Sequence, residues 1–237
     1  MRKPSRHEVG HLRVRLSAWF AAKGRSFPWR KRTATLYEQI VTEVLLQRTR
    51  AEVVAAFFPR FKQRYPSWKG LARATETDLR VLLRPLGLWR RRASSLLKLA
   101  RVVARNKGRF PRTRSEIEAL PSVGQYICNA VLLFANRQAE PLLDVNMARV
   151  LERCFGLRRL ADIRYDPELQ AISRLLVSGP HAIEINWAIL DLAAMVCVAR
   201  LPRCSDCPIK RQCGFYKINR LATTVRIVAP PFPKGVE

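Results

Sequence analysis

Four cysteines late in this 237-residue chain, Cys197, Cys204, Cys207 and Cys213, follow the spacing C-x6-C-x2-C-x5-C. Four thiolates in one short loop suit either a zinc ion or a [4Fe–4S] cluster, since both accept four-cysteine ligation. Structural zinc sites more often use two C-x2-C knuckles. A single C-x2-C flanked by longer spacers leans toward the cluster and leaves zinc open. Arg200 and Arg203 lie between the first two cysteines, with Lys210 and Arg211 before the last. A metal-pinned loop there would present cations to phosphates, already ordered before binding. Cys128 and Cys154 sit alone in apolar helical patterns and read as buried core residues.

Two acids and a hairpin are the other chemical candidates. Glu43 falls on the helical stripe of Leu36 and Ile40, and Gln47 shares that face. A carboxylate turned away from water can hold a proton and deliver it. Asp144 stands where an N-cap belongs, just before a helical run over 145–156, and capping alone would be worth roughly 1 kcal/mol. Asp191, inside an apolar run, reads as a structural acid paired with an arginine. Residues 117–126 lead into Ile127-Cys128-Asn129-Ala130-Val131: a short helix, a Pro/Gly turn and a second apolar helix. Such a turn exposes backbone N–H groups at a helix start, where the dipole adds positive charge, and so can grip a DNA phosphate without reading sequence. An ordinary αα-corner has the same pattern.

The elements that must position these groups are helical. Leu36, Ile40, Val41, Val44 and Leu45 keep 3.6-residue spacing, as do Leu96, Leu97, Leu99, Ala100 and Val103. Further helical stretches fall near 9–22, 51–65, 76–83, 115–119, 124–136, 145–156, 167–177 and 183–197. Thr75 or Thr77, Ser115 and Asp144 are candidate caps. No run alternates long enough for a strand, and prolines at 66, 85, 111, 121, 141, 167 and 180 mark the joints. The expected fold is all-α, with 223–237 a loose extension.

The charge names the class of partner. Forty-four Lys and Arg against eighteen Asp and Glu leave +26, while 48% hydrophobic residues exclude a disordered basic tail. The partner is then a polyanion, nucleic acid before membrane. The longest near-apolar stretch, 187–199, is interrupted by Asp191 and falls short of the about 20 residues that span a bilayer. No signal-peptide core opens the chain, so an intracellular protein is expected, cytoplasmic or nucleoid-associated, with reduced thiols.

Taken in order, several fragments resemble the helix–hairpin–helix DNA glycosylase superfamily, its endonuclease III and MutY branch. They are Phe27-Pro28-Trp29, Thr42-Glu43-Val44-Leu45-Leu46-Gln47-Arg48-Thr49, Leu86-Gly87-Leu88 and Leu120-Pro121-Ser122-Val123-Gly124. Leu143-Asp144-Val145-Asn146-Met147-Ala148-Arg149-Val150, Leu190-Asp191-Leu192-Ala193-Ala194-Met195-Val196-Cys197 and the cysteine loop complete the series. The resemblance spans about residues 27–216.

This resemblance implies two helical lobes: a six-helix barrel over 36–141, and a discontinuous cluster domain from 1–35 and 142–222. DNA would lie in the groove between them, with the target base flipped out. It favours [4Fe–4S] over zinc on Cys197, Cys204, Cys207 and Cys213. Glu43 would contact or protonate the departing base, and Asp144 would stabilise the oxocarbenium-like sugar and orient water. Gln47 and Leu88 would fill the hole left in the duplex. Arg48, Ser122, Val123, Gly124, Gln125, Asn146, Arg200 and Arg203 would contact DNA, and Arg90, Arg91 and Arg92 would lie beside the wedge.

Relatives that also cut the strand carry a lysine at the place of Tyr126. A tyrosine cannot form their Schiff base, so a monofunctional enzyme is implied. Tyrosine there, and Gly87-Leu88-Trp89 before a basic run, resemble the thymine/uracil mismatch glycosylases more than the adenine glycosylases. The 24 residues after Cys213 leave no room here for the latter's C-terminal domain. The implied substrate is thymine or uracil opposite guanine in double-stranded DNA, acted on by a monomer. Adenine removal from mispairs, and a non-catalytic iron–sulfur DNA-binding protein, are the alternatives. In the hairpin, Ser122 replaces a customary glycine, which would weaken the phosphate grip if serine could not take the glycine's backbone conformation.

Overall fold

The structure is a computed structural model that describes residues 1–220; the proposed extension 223–237 lies outside the described residues. In chain order the helices are α1 (Arg6–Lys23), α2 (Leu36–Leu46), α3 (Ala51–Arg64), α4 (Trp68–Ala72), α5 (Glu76–Leu83) and α6 (Trp89–Arg105). They continue as α7 (Arg114–Glu118), α8 (Gln125–Phe134), α9 (Val145–Phe155), α10 (Pro167–Val177) and α11 (Ala182–Met195). Among the described residues there is no strand, so the fold is all-α. None of the helices found there is long and apolar enough to cross a membrane.

Local chemistry sets the boundaries. Ser5, Thr35 and Thr113 each close a capping box with a glutamate three residues on, Glu8, Glu38 and Glu116. Two N–H groups that would face no partner are satisfied in each case. Thr75 caps α5. Thr113, rather than Ser115, caps α7, because the box needs its acid at the third helical position, where Glu116 stands. The five-residue α4, held by the Ser67 cap, was not read from periodicity: it is too short to show a repeat.

The chain divides into two compact units, Met1–Gly24 with Leu143–Val177 and Glu184–Glu237, and Arg25–Leu142 with Ser178–Ile183. The second unit begins at 25 rather than at 36 for a packing reason. Phe27 and Trp29 stack at 4.8 Å, and Trp29 meets Phe58 of α3 edge to face at 6.2 Å. That unit is built on α2, which packs against α3, α6 and α8, while α6 also carries α4 and α5. Its interior includes Ile40, Leu45, Phe58, Phe61, Leu83, Leu96 and Leu132, all fully enclosed. In the other unit α1, α9 and α10 pack together over Leu12, Leu16, Met147, Leu151, Leu169 and Leu192, and the cysteine loop closes on Ile209 and Cys213.

Candidate active site

Two sets of side chains, one in each unit, carry the candidate chemistry. In the unit that begins at Arg25, Glu43 sits in the last turns of α2 and is 4% exposed. The Tyr126 hydroxyl donates to its Oε2 at 2.8 Å. Tyr126 is the second residue of α8, so the hairpin turn aims the phenol directly at the acid.

The turn is tight. Val123 N–H donates to the Leu120 carbonyl at 3.3 Å, with Pro121 and Ser122 between them. Ser122 adopts φ 64, the left-handed value that a type II turn demands at its third residue, where glycine is usual. Serine therefore takes the conformation that glycine would, and the side chain points into solvent. Gly124 caps α8 without a side-chain bond, and a Cβ built on it would meet nothing within 4 Å. Backbone at this helix start is thus open to close approach. Val123, Gln125 and Tyr126 are half-buried, while Gly124 is exposed.

The second pair of loops in this unit carries Gln47 and Leu88. Gln47 ends α2 and is exposed; Arg48 follows, exposed, at φ 56. Leu88 precedes α6 at φ 49 and is 46% exposed, so it is not a core residue. Arg90 and Arg91 are exposed, and Arg90 lies over the Trp89 ring at 4.5 Å. Arg92 departs from expectation. It is 3% exposed and faces inward, so it is not a phosphate contact.

In the other unit Asp144 caps α9. Its Oδ1 accepts from Asn146 N at 2.9 Å and Met147 N at 2.8 Å, and its Oδ2 from Asn146 Nδ2 at 2.6 Å. Burial raises its carboxyl above the ordinary aspartate range, against the pull of those donors. Asn146 Oδ1 in turn accepts from Arg149 Nη1 at 3.1 Å, and Arg149 donates to the carbonyls of Ala193 and Cys197, both at 2.9 Å.

Arg153, one turn further along α9, donates to the carbonyls of Cys197, Val198 and Ala199 and to Cys197 Sγ at 3.2 Å. These two arginines were not singled out from the sequence, although their i, i+4 spacing on an apolar helix was a visible signal. Arg200 and Arg203 stand exposed in the loop they support. Asp191 is fully buried.

Among the described residues no three His, Cys, Asp or Glu side chains are placed to hold a single metal ion. The donor chemistry of the loop is nonetheless that of a thiolate site. Burial and the neighbouring sulfurs push Cys207 up to about 12 and raise Cys204. The charge penalty on those two sulfurs would be relieved by a cation bound among them. Cys154 is a buried core residue, as expected, and lies beside one of the four cysteines. It shares its proton with the Cys213 sulfur, which holds Cys154 protonated and draws Cys213 down.

The model of the HhH-GPD superfamily of base excision DNA repair proteins matches residues 41–174. The chain belongs to this superfamily. The HhH-GPD match takes in the second half of α2, the hairpin and α9, and so Glu43, Tyr126 and Asp144. A thymine-DNA glycosylase of Aeropyrum pernix is 40% identical over 210 residues, covering 86% of this chain and 94% of that one. A thymine/uracil-DNA glycosylase of Pyrobaculum aerophilum is 37% identical over 205 residues, covering 84% and 89%. The solved structure of a thermostable thymine-DNA glycosylase superposes with a TM-score of 0.78 at 29% identity, over 90% of this chain and 98% of that one. This HhH-GPD protein is a DNA glycosylase of base excision repair.

Proposed function

We propose that the enzyme removes thymine or uracil paired with guanine, and that it does so by hydrolysis alone, leaving an abasic site in an intact strand. The observation that carries this reading is the phenol of Tyr126 bonded to buried Glu43 at 2.8 Å. A lyase needs an amine at that point of the hairpin to attack the sugar; a phenol held by a carboxylate offers none. The two long relatives named for thymine or thymine and uracil support the choice of base.

The reaction breaks the bond between C1′ and the pyrimidine nitrogen. Positive charge grows on the sugar, and the Asp144 carboxylate stabilises it. Water supplies a hydroxyl to C1′, and its proton balances the charge left on the departing base. Glu43 and Tyr126 face that base and orient it. The hairpin at 120–124 holds a phosphate through backbone N–H groups, without reading sequence. Gln47 and Leu88 enter the duplex, while Arg48, Arg200 and Arg203 meet phosphates.

Cys197, Cys204, Cys207 and Cys213 would hold a [4Fe–4S] cluster, which pins the loop that presents those last two arginines. Arg153, donating to Cys197 Sγ, balances part of the thiolate charge.

A panel of duplexes with G·T, G·U, A·G and A·8-oxoguanine tests the reading. Strand breaks should appear for G·T and G·U only, and only after alkali. Release of adenine alone refutes the choice of base, and breaks before alkali refute the purely hydrolytic mechanism. Binding without any release makes the protein a non-catalytic DNA-binding module.

A further inference from the structure

Arg92 is the one arginine of the basic run 90–92 that turns inward, and its partners all lie in two short segments. Nη1 donates to the Leu86 carbonyl at 2.6 Å and to that of Gly87; Nη2 donates to Thr49 Oγ1 at 2.6 Å and to the Gln47 carbonyl. Thr49 Oγ1 donates onward to the Leu86 carbonyl at 3.3 Å, which closes the circuit. Among the described residues no carboxylate pairs with this guanidinium, and burial lowers its pKa. It also sits in the first turn of α6, where the helix dipole opposes a cation and no acid compensates. As simple core filling, an apolar side chain of similar volume would serve as well or better.

What the guanidinium does is bracket strained backbone. Its bonds to Gln47 and Thr49 lie on either side of Arg48, at φ 56; its bonds to Leu86 and Gly87 immediately precede Leu88, at φ 49. Left-handed side-chain-bearing residues persist only where surrounding structure over-determines them. Gln47 and Leu88 belong to segments some forty residues apart in sequence, and Arg92 hydrogen-bonds to both.

We propose that Arg92 is a positioning residue for DNA distortion: it fixes the Gln47 and Leu88 loops so that both side chains enter the duplex together. This rests on the assignment of those two residues as the wedge. A wedge must unstack a base step, which costs stacking energy. Loops free to recoil would lose much of that in reorganisation.

The test uses a duplex with a tetrahydrofuran abasic site and 2-aminopurine beside it, whose fluorescence rises when the wedge unstacks it. The probe has no base to excise, so its outcome does not depend on which base is the substrate. Arg92→Met keeps the stem and removes every donor; the fluorescence change should fall about tenfold. Affinity for undamaged duplex should stay within about twofold, since Arg92 touches no phosphate. Arg92→Lys should recover part of the signal.

Should Arg92→Met not fold, Thr49→Val removes the two bonds of the Thr49 hydroxyl while leaving Arg92 its three carbonyl partners, and should lower the signal about twofold to threefold. A wild-type signal in either variant overturns the proposal, as does loss of signal in step with loss of undamaged-duplex affinity. A wild-type protein that gives no fluorescence change refutes the wedge and the positioning role together. Failure to release thymine or uracil, with the fluorescence intact, refutes only the proposed substrate.

Discussion

Asp144 is asked to do two things at once, and a substitution separates them. As a cap it supplies two acceptor bonds to the first turn of α9 and one to the Asn146 amide. Asparagine caps about as well as aspartate, so Asp144→Asn keeps the bonds to Asn146 N and Met147 N. Its new amide meets the Asn146 amide donor to donor, at about 1 kcal/mol. Asn146 cannot escape by flipping, because its oxygen is engaged by Arg149. Relief of a buried carboxylate offsets part of this. Asp144→Asn should therefore fold within about 1 kcal/mol of the parent, whereas Asp144→Ala should lose about 1–2 kcal/mol.

Catalysis should respond on another scale. Removing the charge that faces the developing cation takes away about 3–4 kcal/mol, a factor of several hundred or more in single-turnover base release from a G·T duplex. Asp144→Ser, a good cap without charge, should match Asn in activity and the parent in melting. Turnover above a tenth of the parent's in Asp144→Asn, or rescue by serine, would reduce Asp144 to a cap and refute the catalytic role.

The pH dependence carries a sign of its own. The Asp144 pKa in the fold lies above its unfolded value, so the fold favours the protonated acid. As pH falls through the raised pKa, activity should drop while this group's contribution to stability improves, until the unfolded pKa is reached. Asp144→Asn should abolish both slopes, visible in pH profiles of rate and of melting.

Other changes are expected at single positions. Ser122→Gly should raise the free energy of unfolding by up to about 1 kcal/mol, the left-handed penalty less the entropy of glycine; a lower denaturation midpoint overturns the turn assignment. Tyr126→Lys should gain a borohydride-trappable covalent adduct with DNA, and no adduct would mean that the hairpin residue does not face the sugar. Visible absorbance from the purified protein should vanish in Cys207→Ser, and colourless parent protein with one zinc refutes the cluster. Duplex affinity should fall with salt at a log–log slope of about −0.9 per phosphate contact; a slope near zero would detach the charge from DNA binding.

Helical periodicity exposed most of the fold because several helices carry a clear apolar stripe, α6 and α9 most plainly. It missed α4, and it set the start of α7 at Ser115 because a capping box is defined by bonds that a pattern of apolar residues does not show. Within the site, Glu43 was legible from its stripe and Asp144 from its place before α9.

Arg92 was not legible. A run of three arginines reads as a solvated face, and only the fold reveals that α6 turns the third one inward toward the Gln47 carbonyl and the Thr49 hydroxyl, 45 and 43 residues away. Cys154 is the buried core residue that its apolar pattern suggests; only its neighbour Cys213, far along the chain, was hidden from the sequence.

Of the non-glycine residues with left-handed backbone among the described residues, Arg48, Leu88 and Ser122 all belong to the proposed DNA-facing set. Leu201, also left-handed and almost wholly exposed, lies beside Arg200 in the cysteine loop. A selection for heat resistance, blind to DNA, would find glycine at these positions first. It would reward the loss of the very side chains proposed to meet the duplex. Stability and lesion search thus compete at named residues, and a laboratory lineage evolved only for robustness should drift toward a sturdier protein that binds DNA less well.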